Sequence, residues 1–114
     1  MRIIIAGTRT SVNMDHLEVA IQKSGWTPKV IISGTAKGAD QLGEQWAREN
    51  SVPVKQFKPD WSQYGKAAGP KRNREMAENA DALIALWDGK SKGTKNMIET
   101  AEKLGLKVYV HRIK

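Results

Sequence analysis

Cysteine is missing altogether from the 114 residues, and histidine occurs only as His16 and His111. Without thiols there is no disulfide framework, no Cys-ligated zinc and no thiol nucleophile, so nothing ties the chain to an oxidising compartment. The two histidines fall in separate segments, and no metal centre is expected. Long apolar runs are missing too. The longest reach five or six residues, too short to cross a bilayer, and no apolar signal-peptide core follows Met1. A cytoplasmic protein with no membrane partner is the expectation. Negative charge is the scarcer sign: 19 Lys and Arg stand against 12 Asp and Glu, a net charge of +7 with a pI near 9.8. Such an excess calls for an anionic partner without saying which.

What is present is an alternation of strand-like and helix-like segments. The β-branched runs at 2–6 and 30–32, the segment 52–57, and the apolar runs 83–87 and 108–110 read as strands. Between them, Met14, Leu17 and Ile21 fall at helical spacing before Gly25. Ala39, Leu42, Gly43 and Trp46 mark a second helix, and Met97, Ile98, Ala101 and Leu104 another before Gly105. A short helix is expected from Pro70 to Ala80, and 58–70 has no periodicity. Apolar strands alternating with amphipathic helices imply an α/β fold, a Rossmann-like doubly wound parallel sheet of about five strands with helices on both faces. In that architecture ligands bind beyond the carboxyl ends of the strands, near the switch in strand order.

Each loop on that edge carries suitable residues. After the first strand comes Gly7-Thr8-Arg9-Thr10-Ser11, either a turn capped by Thr10 or Ser11 or a phosphate loop with Arg9 as the cation. After the second comes Ser33-Gly34-Thr35-Ala36-Lys37-Gly38-Ala39-Asp40, two glycines flanking a loop that opens into a helix, either a tight turn or an anion cradle. It is neither a P-loop nor a G-x-G-x-x-G fingerprint. Asp40 either stabilises the first helical turn or bonds a ribose hydroxyl. The segment after the third strand holds Asp60, Trp61, Tyr64, Lys66, Gly69, Arg72 and Asn73. Between 55 and 74 six basic residues face Asp60 alone, five of the seven units of net charge. Trp61 and Tyr64 can stack on a base, although Trp61 serves equally as a loop anchor. After the fourth strand, Gly93-Thr94 at a helix start suits a phosphate, with Lys90, Lys92 and Lys95 either part of the site or a solvated face.

These blocks (Gly7-Thr8-Arg9; Ser33-Gly34 with Gly38-Ala39-Asp40; Asp60-Trp61 through Tyr64-Gly65-Lys66 and Gly69-Pro70 to Arg72-Asn73 and Met76; Gly93-Thr94 with Met97) resemble the SLOG superfamily. More narrowly they look like its YspA/YpsA-related branch, small domains found in bacteria and phages. The resemblance covers essentially the whole chain. It implies one nucleotide-binding domain over residues 1–114 and a ligand such as a nucleotide or an ADP-ribose-type, NAD-derived molecule, with no further cofactor. In the related LONELY GUY phosphoribohydrolases a catalytic Glu follows the Gly-Thr pair by three residues; here Met97 stands there, and a thioether is neither acid nor base. The leading expectation is therefore a binding module that senses or sequesters a small nucleotide. Gly34, Thr35, Gly38, Gly93 and Thr94 would hold phosphates, Arg9, Lys66 and Arg72 would balance charge, and Asp40 or Asn73 would bond ribose or base. An N-glycosidase or phosphohydrolase using Asp40 or Asp60 is the second expectation, and single-stranded nucleic-acid binding the third. Self-association into a homo-oligomer is also expected of so small a sheet.

Overall fold

A computed structural model describes residues 1–113. Five strands form one parallel sheet: β1 (Arg2–Gly7), β2 (Val30–Ser33), β3 (Val54–Gln56), β4 (Ala82–Trp87) and β5 (Lys107–Arg112), in the order β3-β2-β1-β4-β5. β1 lies at the centre, pairing Ile3 with Ile31 of β2 and with Ala82 of β4. The chain thus winds outward through β2 and β3, crosses back over β1, and finishes through β4 and β5. This is the doubly wound arrangement the alternation of segments implies, and its switch point falls at the carboxyl end of β1.

Strand alternation sorts the core into two layers. Ile3 and Ile5 point to one face, with Ile31, Ile84 and Leu86, where they meet Leu17 and Ala20 of α1 (Met14–Ser24) and Ala47 of α2 (Ala39–Glu49). Ile4 and Ala6 point to the other, with Ile32, Leu83 and Ala85, against Met76 of α4 (Ala68–Glu78) and Met97 of α5 (Lys92–Lys103). Ile3, Ile4, Ile5 and every residue from Ala82 to Leu86 are buried. That explains why β1 and β4 read as continuous apolar runs rather than alternating ones.

Three expectations change. The first helix starts at Met14, and its cap is neither Thr10 nor Ser11. Asn13 accepts the N–H of His16 at 3.0 Å, and His16 Nδ1 accepts the N–H of Asn13 at 3.2 Å, a reciprocal capping box. The third strand shortens from 52–57 to Val54–Gln56, an exposed edge that lacks a second neighbour. The aperiodic segment 58–70 is largely helical: Asp60 caps α3 (Trp61–Tyr64), a 3-10 turn spans Gly65–Ala67, and α4 begins at Ala68. Pro70 sits within the first turn of α4, where its missing N–H would have had no helical partner. Among the described residues no helix is long and apolar enough to cross a membrane.

Candidate functional site

Among the described residues five polar side chains are buried: Thr8, Ser33, Asp40, Asn73 and Thr94. All five lie at the carboxyl edge of the sheet. Burying a polar group costs free energy unless it is bonded, and each is bonded locally. Thr8 Oγ1 accepts the N–H of Asp88 at 2.9 Å, joining the loops that follow β1 and β4. Ser33 Oγ donates to Glu44 at 2.6 Å and accepts the N–H of Thr35 at 3.1 Å. Asn73 donates to Asn96 Oδ1 at 2.9 Å, tying α4 to α5. Thr94 Oγ1 lies 3.0 Å from the hydroxyl of Ser91, the N-cap of α5.

These bonds frame a cleft of about 70 Å³ floored by Gly7, Met76 and Met97 and walled by Asp40, Arg72 and Thr94. Beside it, a wider recess of about 290 Å³ is lined by Thr35, Lys58, Pro59 and Trp61. Arg9, Ala36 and Arg72 line both, so the two are compartments of one groove. Arg72 is fixed in place: Nη1 donates to the Gly34 carbonyl and Nε to Asn73 Oδ1 at 3.0 Å. Among the described residues it has no carboxylate partner within 4.0 Å. Burial lowers its pKa, the nearby Asp40 carboxylate acts to raise it, and the charge of Arg9 lowers it again. Two guanidiniums therefore face the groove with only partial compensation.

Asp40, in the first turn of α2, accepts the N–H of Ala36 at 3.1 Å. Burial pushes its carboxyl up to about 6; the Ala36 N–H and Arg72 pull it down, and Glu44 pushes it further up. Two glycines make this packing possible. Gly38 has φ +80°, and a side chain there would run into the Thr8 carbonyl and Arg9 backbone. A methyl on Gly34 would lie 2.7 Å from Arg72 Nη1 and 2.8 Å from Asp40 Oδ2. A side chain at Gly34 would therefore displace Arg72 or Asp40, whereas at Gly38 the backbone itself requires glycine.

Not every residue singled out in the sequence lines this groove. Gly7, Arg9, Gly34, Thr35, Asp40, Trp61, Arg72, Asn73, Gly93 and Thr94 do. Thr8, Ser33 and Gly38 stand behind it as supports. Lys37, Lys66 and Tyr64 are exposed outside its lining, and Lys71 places its ammonium 4.9 Å above the Tyr64 ring. Asp60 is engaged in capping α3, accepting from the Gln63 N–H at 3.1 Å and the Ser62 hydroxyl at 2.8 Å. Gly69 lines neither compartment; a methyl there would lie 3.5 Å from the tip of Trp61, which is 55% exposed. Ala36, Ser91, Met76 and Asn96 complete the cleft or its supports without having been singled out as site residues. Ser91, three residues before Thr94, carries a helix-cap signature; Asn96 carries no local signal. Among the described residues no group of three or more His, Asp and Glu could hold a metal ion.

A parallel doubly wound sheet, with glycine-bearing loops and a polar groove at its switch point, defines a Rossmann-like α/β protein. The chain belongs to the YspA, cpYpsA-related SLOG family, whose model matches residues 1–64. It is 32% identical to the Gene 61 protein of Mycobacterium phage D29, over 94% of this chain and 93% of that protein. Its fold is similar to the X-ray structure of DNA processing protein A from Streptococcus pneumoniae, with a TM-score of 0.71 and 20% identity. That likeness covers 96% of this chain and 49% of the other, so the chain spans about half of its structural neighbour.

Proposed function

We propose that the groove binds a nucleotide or nucleotide-derived small molecule, of the ADP-ribose type, and that the protein works as a sensing or sequestering module. The observation that carries this reading is Arg72: a half-buried guanidinium, oriented by two hydrogen bonds, facing Arg9 without a carboxylate partner among the described residues. A fixed, planar fork of donors in a recess suits a phosphate. The amino end of α5, where Ser91 Oγ already takes the Thr94 N–H, supplies the Gly93 N–H and the positive end of a helix dipole. Trp61, exposed on the rim of the wider recess, offers a base its face. Asp40 and Asn73 offer an acceptor and an amide to ribose or base. Calorimetric titration with nucleoside mono- and diphosphates and ADP-ribose tests the reading. Binding by at least one, weakened 30- to 100-fold by Arg72→Ala, is the expected result. Folded protein that binds none contradicts it.

A second reading has its own observation. A carboxyl held near pKa 6 on the wall of a cleft can exchange a proton near neutral pH. Asp40 would then assist cleavage of an N-glycosidic or phosphate bond. Met97, 1% exposed in the cleft floor, contributes no acid or base to such chemistry. Product analysis after incubation with the same ligands separates the readings: intact ligand supports binding, and new products that vanish in Asp40→Asn support hydrolysis.

A further inference from the structure

A further cavity of about 440 Å³, larger than either compartment of the groove, belongs to neither. It lies on the far side of the β1–α1 loop, between Thr10, Ser11, Lys90 and Arg112, with Asp88 and Ile113 completing its wall. Arg112, at the carboxyl end of the edge strand β5, is seated rather than free. Its Cζ lies 5.6 Å from the centroid of the Trp87 ring, and a methyl on Gly89 would fall 2.9 Å from the same atom. Stacking on an aromatic face keeps a guanidinium charged and leaves its in-plane donors available. Among the described residues Arg112 has no carboxylate within ion-pair distance. Asp88, the one acid among the described residues of this wall, has Oδ1 occupied by the N–H groups of Lys90 and Ser91, both at 2.8 Å. Two cations and two hydroxyls therefore outweigh a single carboxylate whose hydrogen bonding is already directed into its own turn.

The same turn joins this cavity to the central cleft. Ser91 lines the cleft while Asp88 and Lys90 line the cavity, and Gly7 and Arg9 on one side lead directly to Thr10 and Ser11 on the other. A ligand whose first phosphate sits between Arg72 and the start of α5 therefore has a second cationic station one turn of chain away. We propose that the Thr10–Ser11–Lys90–Arg112 cavity is a second phosphate subsite, taking a phosphate separated from the first by a ribose. The proposal rests on the reading of the central cleft as a phosphate site. The required chemistry is two phosphates flanking one sugar, present in nucleoside 3′,5′-bisphosphates and in 5′-phosphorylated dinucleotides.

The test titrates wild type, Arg112→Gln and Lys90→Gln with three probe sets covering all four bases: 5′-mononucleotides, 3′,5′-bisphosphates and 5′-phosphorylated dinucleotides. Arg112 and Lys90 are exposed, and thermal unfolding of each variant checks that the fold is kept. A two-phosphate probe should bind wild type at least about tenfold more tightly than its mononucleotide. Either substitution should remove most of that advantage. The probe set that carries the advantage identifies whether the second phosphate belongs to a small molecule or to a strand. Mononucleotide binding with no two-phosphate advantage, or an advantage that survives both substitutions, overturns the subsite and leaves the central cleft intact. Absence of binding by all three sets overturns the cleft reading and the subsite with it.

Discussion

Asp40 holds the largest electrostatic cost in the site. Its carboxyl moves from 3.8 up to about 6 because burial disfavours the ionised form more than Ala36 and Arg72 favour it. The folded state therefore holds this proton more tightly than the unfolded chain does. Stability from that difference is fully present below about pH 4 and is lost as pH rises through about 6. The loss is on the order of 3 kcal/mol by pH 7 to 8. Asp40→Asn removes it, so the variant should be more stable than wild type at pH 8 and nearly equal to it at pH 4. Chemical denaturation at both pH values checks this, and a difference that does not change with pH contradicts the assignment. A group kept at such a cost is characteristic of a site rather than of a scaffold. Gly34→Ala probes the same neighbourhood from the other side: its methyl contends with Arg72 and Asp40. Ligand affinity should fall with Arg72 displaced, as calorimetry would read it.

At the scale of elements, the loops of the carboxyl edge are held by their connections to helix starts. Gly38 opens α2 while the N–H of Ala39 donates to the Thr8 carbonyl at 3.1 Å, so the loops after β1 and β2 move as one unit. Gly38→Ala imposes a positive φ on an alanine and drives its methyl into backbone, and should cost at least about 2 kcal/mol in unfolding free energy. Removing the α1 cap with Asn13→Ala should cost about 1 kcal/mol and leave ligand affinity unchanged, because that cap lies outside the groove lining. The five strands were legible because β1 and β4 are buried on both faces and β2 nearly so, which forces apolar runs. β3 was the least legible in its bounds, as an exposed edge needs no such run. α3 escaped notice because four residues cannot display a period, yet Asp60 followed three residues later by Gln63 is a capping signature. Arg9, Asp40 and Gly93-Thr94 stood out because the doubly wound order sends every strand's carboxyl end to one edge. The Arg72–Gly34 and Asn73–Asn96 bonds span 38 and 23 residues. Such pairings depend on how α4 docks, and no local pattern announces them.

For the molecule as a whole, the question is what a net charge of +7 serves. Of the basic residues near the carboxyl edge only Arg9, Lys58 and Arg72 line the groove, the last of them from α4; Lys37, Lys66 and Lys71 are exposed beside it. Exposed cations attract an anion from a distance and are screened by salt, whereas Arg72 is placed for contact. A small ligand held by Arg9 and Arg72 carries no condensed counterion atmosphere and should show only the shallow salt dependence of ordinary screening. A long single strand crossing the exposed lysines as well would give a steeper slope and an affinity that grows with strand length. Titrating mononucleotides and strands in parallel at several salt concentrations decides between them. The most direct test of the central claim is an amide chemical-shift titration of the isotope-labelled protein with the same nucleotide panel. Shifts should concentrate at Gly7–Arg9, Gly34–Asp40, Arg72–Asn73 and Ser91–Thr94, and in Arg72→Ala should need about 30- to 100-fold more ligand to develop. Shifts confined to other surfaces, or none with any nucleotide, would contradict a nucleotide site at the carboxyl edge of the sheet.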